Sequence, residues 1–91
     1  MDIVNNSHGL VTVAVFKTLP YSAENRVALT GEIGGGGGKA SVSVPAGDYY
    51  VDISYGSVGR PLPAGTNIAR SGGVPSGGTV TLTLSDRIVI T

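Results

Sequence analysis

The chain contains no cysteine and one histidine, His8. A disulfide framework and a thiolate zinc site are therefore excluded, and a single imidazole is left for any base or ligand role. Charge is scarce too: six basic and six acidic residues among 91 balance to zero and are scattered. Nothing concentrates the positive surface that phosphate neutralisation needs. The aromatics are Phe16, Tyr21, Tyr49, Tyr50 and Tyr55, and they do not interleave with basic residues as a platform for single-stranded nucleic acid would. Nucleic acid is not an expected partner. The longest apolar-leaning run, Leu10 to Phe16, is broken by Thr12 and is far too short to cross a bilayer, so no membrane span is expected. Met1-Asp2-Ile3 opens without a basic region, a long apolar stretch or a small-residue cleavage site, so export is not expected either. Asn5-Asn6-Ser7 matches the glycosylation sequon, but so short a pattern arises often by chance and reads here as a turn.

Ninety-one residues make one domain, 1–91, that buries only about 60–65% of its unfolded surface and so has a thin core. Small folds gain stability from disulfides, a structural metal or association; with one histidine and no cysteine, association is the aid left open. Charged residues are 13% of the chain, well below the roughly 25–35% common on a free-standing surface, which points to a surface partly covered by another molecule.

What is present is β-structure. Lys39 to Val44 alternates, with Val42 and Val44 on one face and Ser41 and Ser43 on the other. After Pro45 to Asp48, the residues Tyr49, Val51, Ile53 and Tyr55 alternate against Tyr50, Asp52 and Ser54, which predicts a central antiparallel hairpin over Gly34 to Tyr55. Leu10 to Thr18 is rich in β-branched residues with apolar groups on both faces, the mark of an interior strand. Asp2 to Asn5 reads as a short strand, as does Val27 to Ile33, where Val27, Leu29 and Ile33 keep one parity. Thr79 to Ser85 alternates most clearly, with Val80, Leu82 and Leu84 inward. Arg87 to Thr91 carries a last apolar, β-branched segment, Ile88-Val89-Ile90.

Between these strands, Gly34 to Gly38 reads as a mobile hairpin loop. A phosphate cradle ending at Lys39 fails, because its spacing requires glycine at 33 and serine or threonine at 40, where Ile33 and Ala40 stand. Gly56 to Gly78, with Pro61, Pro63 and Pro75, reads as a long connection divided by a short strand near Thr66 to Ala69. Arg60 and Arg70 lie in it and could pair with an acidic partner, although solvated loop cations are the plainer reading.

The order Val11-Thr12-Val13, Val27-Ala28-Leu29-Thr30, a glycine turn, Lys39 to Val44, Pro45-Ala46-Gly47-Asp48-Tyr49 and Thr79 to Leu84 resembles the carboxypeptidase regulatory-like or transthyretin-like group, including the collagen-adhesin B-type repeats. The resemblance covers about residues 10 to 85. It implies an all-β fold: a single immunoglobulin-like antiparallel β-sandwich of about seven strands, here preceded by a segment 1–9 and extended by a C-terminal strand over 86–91. It also implies roles as stalks, adhesin repeats, carbohydrate-associated modules or virion proteins, mostly without catalysis. The chain lacks the aspartate-glycine loop usual before the central strand, so no functional residue is carried over.

Catalysis is not expected. His8 sits in a turn with no G-x-S-x-G elbow in the chain, and Asp48 and Asp52 read as a turn residue and an outward strand residue. Converging metal ligands are missing, and no cofactor, metal or small-molecule ligand is expected. Two roles remain. The first is a structural subunit in a virion, such as a phage capsid decoration protein or a head or tail component, contacting itself or a capsid or tail lattice through Arg87, Ile88, Val89, Ile90, Arg60 and Arg70. There the tail could add to a neighbour's sheet or pair within its own domain, beside Ile3 and Val4. The alternative is a carbohydrate- or protein-binding module of a bacterial cell surface, with Tyr50 and Tyr21 as the outward stacking residues once Tyr49 and Tyr55 are assigned to the core.

Overall fold

A computed structural model describes residues 1–56 and 67–91. Eight strands follow one another: β1 Asp2–Asn5, β2 Val11–Phe16, β3 Arg26–Leu29, β4 Gly38–Ser41, β5 Asp48–Tyr55, β6 Asn67–Pro75, β7 Thr79–Leu82 and β8 Ile88–Ile90. They form two four-stranded sheets, β4-β1-β7-β8 and β3-β2-β5-β6. Every pairing is antiparallel except β1 with β7, where Ile3 lies beside Val80 and Asn5 beside Leu82. The all-β content expected from the alternation is found, and so is the sandwich that the resemblance implies.

Period-2 patterning explains the core. Ile3, Val80 and Leu82 project from the first sheet onto Val11, Val13, Val15, Tyr49, Val51, Ile53 and Val74 of the second, all fully buried. Tyr49 keeps its hydroxyl satisfied by donating to the Pro45 carbonyl. β2 is interior, between β3 and β5, as its two-sided apolar content implies.

Several local expectations are corrected. Gly34 to Tyr55 is not a hairpin: β4 lies in the first sheet and β5 in the second, and Val42 to Gly47 carries the chain across. Alternation reports which face is buried, not which strand is the neighbour. The glycine run likewise joins two sheets, and it is tied down by its own backbone. Gly36 and Gly37 donate to the carbonyls of Ser7 and Asn5 at 3.0 and 2.8 Å. A Cβ on Gly35 would stand 2.4 Å from the Ser7 carbonyl oxygen, and Gly36 has φ +74°. Glycine is needed there for close backbone approach.

The β3 segment ends at Leu29 instead of Ile33. Thr30 turns inward and its hydroxyl accepts the Val13 N–H at 2.9 Å, after which Gly31 and Glu32 step out of register and Ile33 rejoins β2 opposite Val11. The step reverses parity, so Ile33 and Ala28 face the core while Val27 and Leu29 face solvent. Thr79 to Ser85 also stops early, at Leu82, and Leu84 is 64% exposed in the turn before β8. Conversely, Asn67–Pro75 is one long strand where a loop with a short strand was expected; Thr66 lies outside the described residues. β6 accommodates Gly72 and Gly73 in a bulge opposite Tyr50, with Gly73 at φ +66°, and places Pro75 on the sheet edge where no ladder bond is lost.

Candidate functional site

Two surfaces stand out, one on each sheet. The first is the β8 edge. Thr79 and Thr91 exchange both backbone hydrogen bonds, and Thr83 donates to the Arg87 carbonyl. Hydrogen-bonded positions alternate along an antiparallel ladder, so Val89 also faces β7, while the N–H and C=O groups of Ile88 and Ile90 point away from it. The tail therefore pairs within its own chain, beside β7 and not beside Ile3 and Val4, and among the described residues still presents an open row of donors and acceptors. Ile88 and Ile90 rest half-buried against the core, and Val89 is 46% exposed on the outer face.

The other three edges are guarded in ways β8 is not. β4 carries the exposed Lys39, β6 has Arg70, a glycine bulge and Pro75, and β3 begins with Arg26 opposite a register shift at Phe16. Residues 88–90 contain no charge, proline or bulge.

The second surface is the outer face of the β3-β2-β5-β6 sheet. Phe16, Tyr50, Asp52 and Arg70 project there from β2, β5 and β6 in neighbouring cross-strand rows. Tyr21 reaches over them from the β2–β3 connection, which Asn25 organises by donating through its amide to Pro20 and Ser22. The Tyr21 ring meets Phe16 and Tyr50 edge-on, with centroids 5.2 and 6.3 Å away. The Arg70 guanidinium lies 4.6 Å from the Tyr21 centroid, and its Nε is 3.4 Å from Asp52 Oδ2. Tyr50 leans over the bare backbone of Gly72. Asp52 Oδ1 is buried without a hydrogen-bond partner among the described residues. Burial pushes the Asp52 carboxyl above its ordinary range, against the opposing pull of Arg70. Tyr21 is raised for the same first reason.

The residues singled out from sequence thus divide. Arg87, Ile88, Val89 and Ile90 come together on one edge; Arg70 is on the opposite sheet, in an ion pair; Arg60 lies outside the described residues. Tyr55 is surface-exposed instead of buried, donating to Asp86 at 2.9 Å, a bond that raises its pKa. Asn5 is fully buried. Its amide donates to Gly9 and Ile33 and accepts from the Ser7 N–H and hydroxyl, so the sequon asparagine is a structural pin. The sequence marks Tyr21 and Tyr50 as outward residues, but that Phe16, Asp52 and Arg70 join them was missed, because a loop tyrosine has no periodicity to say which strand residues it meets. Among the described residues no three of His, Cys, Asp and Glu gather as metal ligands, and no helix is long and apolar enough to cross a membrane. Comparison of the chain with family models, curated proteins and solved structures finds no match in any of the three.

Proposed function

We propose that the protein is a non-enzymatic structural subunit of a larger assembly, a virion component such as a phage capsid decoration protein or a head or tail protein, joined to its neighbours by strand addition at β8. The observation that carries this reading is the unguarded edge: Ile88 and Ile90 offer main-chain hydrogen bonds outward, and their half-buried side chains leave room for an added strand to complete the core. Small size, balanced charge and sparse charged residues support it. The sandwich itself we read as a member of the carboxypeptidase regulatory-like or transthyretin-like group, on the motifs given above and the two packed four-stranded sheets.

Ile90→Pro tests the proposal, because the amide it removes points away from β7. The variant is expected to keep the fold, at a cost of about 1–2 kcal/mol for the altered side chain, and to lose concentration-dependent association in sedimentation. Equal masses for the variant and the intact chain across the concentration range would sink strand addition between copies.

A further inference from the structure

We infer that the outer face of the β3-β2-β5-β6 sheet is a second docking surface, and that Arg70 is its recognition residue for a carboxylate on an extended, acidic and apolar segment of a partner protein. The geometry is that of a guanidinium prepared in advance. Its Cζ lies over the Tyr21 ring, 4.6 Å from the centroid, and Asp52 holds its Nε at 3.4 Å, while 47% of the side chain stays open to solvent. Among the described residues the two terminal nitrogens have no hydrogen-bond partner, and they form the planar fork that a carboxylate binds in two-point fashion. Asp52 is the positioning residue: its second oxygen is buried without a partner among the described residues, while the first fixes the guanidinium.

Charge and shape choose the occupant. Arg26, Arg70, Asp52 and the exposed Asp48, which shares the outward parity of Tyr50 and Asp52, balance in charge, so what selects a carboxylate here is the exposed fork of Arg70 and not a net field. Val27 and Leu29, both more than 40% exposed, flank the row and suit aliphatic side chains. A sugar is disfavoured because Arg70 occupies one face of Tyr21 and the Phe16 and Tyr50 rings stand at 86° and 87° to it, so the three rings do not form one flat stacking platform.

The test is binding of a labelled Glu-Leu-Glu-Leu peptide to the intact chain at low salt, with a Gln-Leu-Gln-Leu peptide and oligogalacturonate as the other arms. The glutamate peptide should bind at least tenfold more tightly than the glutamine peptide and weaken with salt. Arg70→Gln should abolish the difference, and Arg70→Lys should not restore it, since an ammonium cannot stack or fork. Amide and Arg70 Nε–H shifts of the unmodified protein during the titration give a reading independent of how the variants fold. Equal binding of the two peptides, no binding of either, shifts centred away from Arg70 and Tyr21, or binding of oligogalacturonate alone would each overturn the inference.

Discussion

At Asp52 two effects oppose each other: burial disfavours the ionised carboxyl, and Arg70 favours it, with burial the larger. A carboxyl whose pKa is raised on folding contributes stability that is complete below the ordinary aspartate range and is lost as pH rises through the raised value. Asp52→Asn should therefore raise the unfolding free energy at pH 7 by about 1 kcal/mol or less, read as a higher thermal midpoint, with the advantage gone at pH 3. A lower midpoint at pH 7 would show that the Arg70 pair outweighs burial. Gly35 gives the opposite sign. A methyl there meets the Ser7 carbonyl oxygen at 2.4 Å, and the backbone on both sides is tied by hydrogen bonds. Gly35→Ala should cost about 2 kcal/mol in urea unfolding. No change would mean that the run moves freely, as the sequence alone suggests.

At the scale of the element, β8 is half of a ladder. Its inner row is occupied by β7 and its outer row has no partner among the described residues, so amide exchange should separate neighbouring residues by their alternation. In the monomer, Ile88 and Ile90 are expected to exchange rapidly while Val89 is protected. On assembly, the first two should become protected as well. Protection of Ile88 and Ile90 in a dilute monomer would place another segment of the same chain on that edge and remove the proposed docking row. The β6 strand shows how a neighbouring edge avoids the same exposure: the bulge at Gly72 and Gly73, Pro75 and Arg70 all interrupt a continuous template.

For the molecule as a whole, the thin core decides how much can be removed. Ile88 and Ile90 pack against the core cluster, so deleting residues 87–91 uncovers Val80 and Leu82 as well as removing the edge. The truncated chain should lose about 2–4 kcal/mol in urea unfolding, in contrast to the smaller cost of Ile90→Pro. Light scattering on all three proteins then distinguishes two cases. Loss of association in both variants assigns it to strand addition, whereas loss in the truncated chain alone assigns it to the integrity of the sandwich.

The sequence by itself determined that the chain is all-β, the interior place of β2, and the inward residues of β5 as far as Ile53 and of β7 as far as Leu82. These follow from side-chain alternation, a local property that each strand carries unaided. It also gave the separation of Tyr50 and Asp52 from the core. What only the tertiary structure decided was which strands are neighbours and where parity changes. The sheet placement of β4 and β5, the reversal between Leu29 and Ile33, and the conversion of a glycine- and proline-rich stretch into β6 all depend on partners distant in the chain. A hydrogen bond from Val13 to the Thr30 hydroxyl, or a tyrosine ring filling the space over Gly72, exists only once the two segments have met. Both proposed surfaces belong to this second kind. An edge lacks a partner, and an arginine is held over a ring, only relative to what lies beside it.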